Sequence, residues 1–418
     1  MSTNNSVLSA AILAPDILLP TKGHDMQKWA TIACDQFTSN PGYWEKVEKF
    51  VSDSQSTYNL MLPEIYLEGG DEDARINKIN NTMKEYLEGN VFTEYKDSFI
   101  YVERTVPSGV RRGLIAAIDL EQYDYAPGST TLIRASEATV TSRIPPRVKI
   151  RKGAPLEMPH ILILINDPDK TVIEPLADIC AKKAPVYDFD LMLGGGHVRS
   201  FVINNDNEKA AIVDSLVSLK NSDAGENPLL FAVGDGNHSL ASAKCHYEDL
   251  KKAGLADSDS PARYALVEIE NIFDYAIIFE PIHRVLFNVN CDDFIDFCND
   301  MCASANDGNH FEIPYVAGST NKGVLCLPKS LHTLAVGALQ QLMDKYMLSH
   351  KDVRIDYIHE AETVESLGSS EGNMGFFLPA MDKYDFFPTI VKNGSLPRKT
   401  FSMGESTEKR YYIECRKI

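Results

Sequence analysis

The chain has 418 residues, of which 44% are hydrophobic and 24% charged, a length for about two to three domains and a composition too apolar for a disordered chain. Lys and Arg number 41 against 59 Asp and Glu, a net charge of −18, so phosphate backbones and anionic lipid are repelled, and neither nucleic acid nor a membrane surface is expected as a partner. Eight scattered cysteines without a CxxC pair, no apolar run near the roughly 18 residues a bilayer needs, and no basic leader ahead of Pro15 and Asp16 place the chain, as an expectation, in the cytoplasm.

In chain order, Asn40-Pro41 predicts a turn, and residues 43–54 a helix with Trp44, Val47 and Val51 on one side. Residues 71–87 predict a second, more polar helix. The β-rich runs 98–106 and 113–120, parted by Pro107, Ser108 and Gly109, carry a hairpin signal. The continuous apolar run 160–165 predicts a strand buried on both faces. A helix over 171–182, a strand over 199–203 and an amphipathic helix over 207–220 follow. Residues 229–233 then form an apolar strand, GDGNH a tight turn, and residues 239–253 a helix with Leu240, Ala243, Tyr247 and Leu250 at helical spacing. Beyond the β-rich stretches 264–269 and 275–279 the character changes. Helices over 292–302 and 332–348 and a β/α stretch ending in Tyr411 to Cys415 predict a C-terminal subdomain. The expected division is 1–290, a main α/β domain, and 291–418, an α/β subdomain.

The strand–GDGNH–helix unit is the leading candidate site. A helix N-terminus offers free backbone N–H groups and partial positive charge, which bind anions, phosphate above all. Gly234 and Gly236 allow a sharp turn and close approach of a ligand; Asp235 can cap the helix or hold Mg²⁺, and His238 can donate to phosphate or move a proton. The plainer reading of the same residues is an N-cap at Asp235 or Asn237 with His238 facing water. The string matches neither GxxxxGK[ST] nor GxGxxG. A second feature is the arginine-rich stretch with Arg104, Arg111, Arg112, Arg134, Arg143 and Arg147, where Glu137 and Thr139 also lie. Guanidinium forks suit phosphate and carboxylate, although ion pairing with the abundant acids explains them as readily. LMLGGGHVRSF and LPRKTFSMG are weaker: a flexible loop at Gly194 to Gly196, and basic plus hydroxyl residues at Arg398 to Ser402. Cys298 and Cys302 fall one helical turn apart on an apolar helix, which favours core packing over zinc.

Six strings, WATIACDQFTSNPGYW, ERTVPSGVRRGLIAAIDLEQYDY, RIPPRVKIRKGAPLEMPHILILINDP, VGDGNHSLASAK, FEPIHRVLF and LPRKTFSMG, together resemble the family known as domain of unknown function 1015, across nearly the whole chain. The common branch of that family has Asp-Gly-His-His-Arg where this chain has Asp235, Gly236, Asn237, His238 and Ser239. That motif is similar to the phosphate-contacting string of the ParB/sulfiredoxin-like group, which includes free serine kinases. The resemblance implies a mixed α/β (α+β) fold with a mixed sheet core, a ParB/sulfiredoxin-like strand–turn–helix unit and a C-terminal α/β subdomain. It also implies an amino acid kinase that moves phosphate between ATP or ADP and the hydroxyl of L-serine with Mg²⁺, or the reverse. The alternative is a non-catalytic nucleotide or metabolite sensor.

Carried over residue by residue, Asp235, Gly236 and His238 match, while Asn237 and Ser239 depart. With no arginine at 239, Lys244, Arg104 or Arg112 would contact phosphate. The common branch has His-Glu-x-x-Thr where this chain has Ser136, Glu137, Ala138 and Thr139, so Glu137 is the implied base. Asp235 would hold Mg²⁺, and Arg143 with Thr139 would bind substrate. The expected partner is a small-molecule substrate, with a homo-oligomer left open.

Overall fold

The structure, a computed structural model, describes residues 10–67, 69–158, 160–223, 225–303, 308–319 and 321–418. The leader expectation falls mostly on residues 1–9, outside the described residues. Among the described residues no helix is long and apolar enough to cross a membrane.

The chain forms two compact units, one of residues up to Ile277 together with Glu405–Ile418, the other Ile278–Gly404. This differs from the expected 1–290 and 291–418 division. The C-terminal residues return to the first unit, where Arg410 pairs with Glu268 (3.0 Å) and Arg416 with Glu157 (2.7 Å).

The first unit is built on a ten-stranded mixed sheet: β1 (Ile12–Leu13), β2 (Phe99–Val106), β3 (Gly109–Asp119), β4 (Tyr123–Asp124), β5 (Ile133–Ala135), β6 (Leu162–Ile165), β7 (Tyr187–Asp190), β8 (His197–Ile203), β9 (Phe231–Asp235) and β10 (Tyr264–Asn271). Their order is β7-β8-β2-β3-β10-β6-β9-β5-β4, with β1 paired to β3. Side chains alternate between the two faces of a strand. Accordingly Phe99, Tyr101, Leu114 and Ala116 enter one apolar core while Ile100, Val102 and Ile115 enter another. The sheet is thus covered on both sides, and β6 is wholly buried as its unbroken apolar run predicts.

Its helices are α1 (Pro41–Val51), α2 (Glu72–Glu88), α3 (Ile144–Arg151), α4 (Leu176–Cys180), α5 (Asp206–Ser222) and α6 (Asn237–Lys252), besides a single turn at Met26–Trp29. Helix α1 starts where Asn40 accepts the Tyr43 N–H and Pro41 holds the first position. Helix α3 has no counterpart in the sequence reading. Its Pro145 and Pro146 sit in the first turn, where a missing N–H costs nothing. The expected helix over 171–182 shrinks to α4, because the Asp167 carboxylate takes the N–H groups of Thr171 and Val172 and bends that stretch into a turn. The expected strand over 275–279 opens with a turn at 275–276, where Asp274 accepts the Ala276 N–H at 2.8 Å, and extended pairing starts only at Phe279–Pro281.

The second unit has a five-stranded antiparallel sheet of β11 (His283–Phe287), β12 (His310–Ala317), β13 (Asn321–Pro328), β14 (Arg354–Ile358) and β15 (Asn373–Phe376), in the order β13-β12-β15-β11-β14. Helices α7 (Cys291–Cys302), α8 (Ala335–Ser349), α9 (Ala361–Gly368) and α10 (Lys383–Asn393) accompany it. Phe294, Tyr346 and Phe376 meet edge-on in its core, and Cys298 is buried on α7, as core packing predicts.

Candidate functional site

Strand pairing assembles the site at the carboxyl end of β9. Strand β5 runs parallel to β9, with Ala135 beside Val233, so the chain leaves both strands at the same end of the sheet. Strand β6 runs antiparallel and sets Leu162 against Asp235, which brings His160 and Ile161 to the turn. Glu137 and His238, a hundred positions apart in sequence, therefore leave neighbouring strands on the same side. The Val140 N–H donates to His238 Nε2 at 3.2 Å and closes the link. Helix α3 packs along α6, and Ser242 Oγ donates to the His238 carbonyl at 2.6 Å.

Two distant segments complete the arrangement. Residues Thr31–Ile32 pair antiparallel with Tyr411–Tyr412, and the Ala33 N–H donates to the Arg410 carbonyl at 2.9 Å. From this zipper Lys409 reaches Asp235 Oδ2 at 3.2 Å, and Tyr412 Oη meets His160 Nδ1 at 2.7 Å. Asp35 lies 3.9 Å from His160 Nε2. Glu64, whose N–H donates to the Cys34 carbonyl, pairs with Arg147 of α3.

Gly236 is the N-cap residue of α6 and adopts the left-handed conformation, φ 81°. A Cβ there would lie 3.1 Å from the Ile161 backbone Cα. Only glycine fits this turn without strain. No side chain caps the helix: the Asp235 carboxylate accepts the N–H of Gly236 itself, at 2.9 Å, instead of one inside the first turn. The N-cap role expected for Asp235 or Asn237 is thus not filled, and the N–H groups of Asn237, His238 and Ser239 begin the helix uncapped. These three residues are half-buried, so the turn is not sealed. Asn237 Oδ1 and Thr139 Oγ1 are buried with no hydrogen-bond partner. An unsatisfied polar atom of this kind is costly in a finished core and ordinary in a site that awaits a ligand.

The charges here are fixed by their neighbours. Burial alone would raise the Asp235 carboxyl, but Lys409, His160 and the Gly236 N–H together hold it below the usual carboxylate range. Burial, with Arg147 and Arg143 nearby and only partly opposed by Asp35, pulls His238 down to about 4. His238 is therefore neutral at pH 7. Since its Nε2 accepts a hydrogen bond, its proton sits on Nδ1.

Several expected roles need correction. Lys244 lies seven residues into α6, roughly 10 Å along the axis from its start, and its ammonium is held by the Leu120 carbonyl (2.9 Å) and Glu248 (3.1 Å). Arg112 stacks over Tyr275 and faces Asp274 at 3.7 Å. Arg104 is buried, and its guanidinium donates to the carbonyls of Gly195, Thr407, Glu408 and Lys409. None of the three is open to phosphate. Asp235 itself is already engaged: Oδ1 accepts the Gly236 N–H and Oδ2 faces Lys409, so a Mg²⁺ there would have to compete with that ammonium. Among the described residues no group of three or more His, Cys, Asp or Glu side chains could hold a metal.

Gly234 is the next-to-last residue of β9, Glu137 and Thr139 follow β5, and Arg143 stands exposed before α3, close enough to bear on His238. The triple glycine is structural; a Cβ at Gly196 would lie 2.2 Å from the Thr105 carbonyl oxygen. The sequence reading did not expect Asp35, His160 or, beyond its place in the arginine-rich stretch, Arg147 at this turn, nor Lys409 and Tyr412. The first three lie within strings that carry the family resemblance, but only the antiparallel pairing and the return of the C-terminal segment bring them together. Separately, the second unit holds an open cleft of about 830 Å³ lined by Lys329, His332, Gln340, Lys392 and Arg398, among others. None of the expected site residues lines it.

Among solved structures, a mutant free serine kinase in complex with AMP is 12% identical over 72% of this chain and 90% of that one, with a TM-score of 0.38. A mutant free serine kinase in complex with ADP is 10% identical over 72% and 91%, with a TM-score of 0.37. A conserved hypothetical protein from Pyrococcus furiosus is 11% identical over 73% and 94%, with a TM-score of 0.34. At such values these likenesses carry no functional weight. No curated protein matches the chain. Residues 18–384 match the family model described as a protein of unknown function, DUF1015, and the chain belongs to that family.

Proposed function

We propose that the start of α6 binds the phosphate of a small-molecule ligand, and that the chain is a small-molecule phosphotransferase, most specifically one that moves a phosphoryl group between ATP or ADP and the hydroxyl of L-serine. The observation that carries this reading is the uncapped first turn behind a left-handed Gly236, with unpartnered Asn237 Oδ1 and Thr139 Oγ1 beside it. Phosphoryl transfer asks a protein mainly for positioning and charge neutralisation. The backbone N–H groups of residues 237–239 and the Nδ1–H of neutral His238 would donate to phosphate oxygens. Glu137, leaving the strand next to β9, would orient the acceptor hydroxyl, and Arg143 would meet a substrate carboxylate. No step passes through a protein-held metal ion; Mg²⁺ enters only as the nucleotide's counter-ion.

A second reading, a non-catalytic nucleotide or metabolite sensor, is favoured by the pairing of Asp235 with Lys409, with which any metal ion at that carboxylate would have to compete. Incubation of the purified chain with serine, Mg²⁺ and ATP or ADP, followed by detection of O-phosphoserine, decides between them. Product that disappears in His238→Ala supports the kinase. Nucleotide binding without product supports the sensor, and absence of both removes both readings.

A further inference from the structure

Lys409 is held at the glycine turn by an ion pair. Its side chain is only 17% exposed, and its ammonium lies 3.2 Å from Asp235 Oδ2, while Oδ1 of the same carboxylate takes the Gly236 N–H. The backbone that carries it is clamped. The Arg104 guanidinium, itself 4% exposed, donates to the carbonyls of Thr407 (2.7 Å), Glu408 (2.9 Å) and Lys409 (2.6 Å), and anchors this grip on the Gly195 carbonyl (2.8 Å). The guanidinium also lies 5.1 Å above the Tyr411 ring. Five hydrogen bonds to carbonyls, two of them to Gly195, and one ring contact, all from one buried arginine, fix the segment that aims a single ammonium at the glycine turn. The family match ends at residue 384, short of Lys409.

We propose that Lys409 is the resident cation of this site, standing at Asp235 where a divalent metal would otherwise bind, and that Arg104 is the positioning residue that keeps it there. An ammonium tethered in place has none of the dehydration that makes magnesium reluctant to give up water. It offers a single charge with three donors, enough to serve both Asp235 and a phosphate oxygen next to the α6 N–H groups. The ligand class that follows is a phosphate monoester or nucleoside phosphate bound without a protein-held metal. That ligand half rests on the phosphate reading above, whereas the cation half stands on the Asp235–Lys409 geometry alone.

The test uses the full chain with AMP and Mn²⁺ as probes. By calorimetry, AMP affinity should be the same in excess EDTA and in Mg²⁺, fall about tenfold or more in Lys409→Met, and be largely kept in Lys409→Arg. By electron paramagnetic resonance, Mn²⁺ should not bind at Asp235 of the wild type, should bind in Lys409→Met, and should be lost again when Asp235→Asn is added. Arg104→Lys, which keeps the charge and loses the fork, should weaken AMP binding in the same sense, and a circular dichroism melt confirms that each variant is folded. AMP binding that requires Mg²⁺, or wild-type Mn²⁺ binding that Asp235→Asn abolishes, overturns the proposal. If the wild type binds no AMP in either buffer, the phosphate reading falls with the ligand half, and the Mn²⁺ series still decides the cation half.

Discussion

Six of the ten helices labelled above begin without a side-chain cap, and two of them bear comparison, α6 behind Gly236 in the first unit and α8 behind Leu334 in the second. Both have cations nearby. At α8 there is also room, the cleft of about 830 Å³ with Lys329, Lys392 and Arg398 in its wall. Those three side chains are exposed, so solvent screens them. At α6 the cation is nearly buried, is paired with a carboxylate, and sits on a backbone gripped by a buried arginine. Residues from five separate stretches of chain meet there: Asp35, Glu137, His160, Asp235 with His238, and Lys409 with Tyr412. A helix start with space and surface charge is common. Fixed charges from distant segments are costly to assemble, and their presence is what marks the α6 turn as a site.

The sharpest way to break this comparison is to remove one arginine from each place. Arg104→Met should destabilise the chain by about 3–5 kcal/mol, since the buried Gly195 carbonyl and the part-buried Thr407 and Lys409 carbonyls lose their donor, while that of Glu408 keeps Arg111; Arg398→Ala should cost about 1 kcal/mol or less, since its partner Tyr357 Oη stays wetted. Urea unfolding measures both, and equal costs would erase the distinction.

A matched pair of glycine substitutions comes next in size. Gly236→Ala forces a side chain into φ 81° and against the Ile161 backbone, so a loss of about 1–3 kcal/mol together with weaker phosphate binding is expected. At Gly337 of α8 a Cβ would lie 2.2 Å from His332 Nδ1. Gly337→Ala should therefore lower the melting temperature and leave AMP binding unchanged. Calorimetric titration of the two variants tests the contrast, and loss of AMP binding in Gly337→Ala would move the site to the second unit.

The smallest effect is a pH dependence. In the fold His238 titrates near 4, against 6.5 for an unperturbed imidazole. Between these values the unfolded chain takes up a proton that the fold refuses, so stability is full above 6.5 and falls as pH drops toward 4. Discounted for the half-exposed ring, the loss at this one group is about 1 kcal/mol. His246, His283 and His332 are also lowered by burial and add slopes of the same sign. His238→Gln should flatten the urea midpoint between pH 7 and 4.5 by its share and leave the rest. An unchanged slope would mean that His238 is not buried among cations.

What was legible in the sequence was local. The apolar run at 160–165, the Asn40-Pro41 helix start and the strand–GDGNH–helix unit can each be read from a dozen residues, because period and turn chemistry decide them. The uncapped start of α6 could not be read, because Asp235 and Asn237 are both good capping residues by type and only the backbone shows that neither caps. The arginines misled for a related reason. Arg104, Arg112 and Arg143 look alike in a string, yet Arg104 is spent on carbonyls, Arg112 on a tyrosine ring and Asp274, and only Arg143 is left near His238. Lys409 and Asp35 were invisible because their meeting depends on a C-terminal segment that returns to the first unit and zips against residues 31–33.

Amide chemical shifts followed during titration with inorganic phosphate and then AMP test the central claim most directly, since they report each backbone N–H in place. The account predicts the largest shifts at Asn237, His238 and Ser239, with Lys409 responding and residues 335–337 silent. Shifts confined to residues 335–337 and the cleft around Lys392, or no response at 237–239 at saturating AMP, would contradict it.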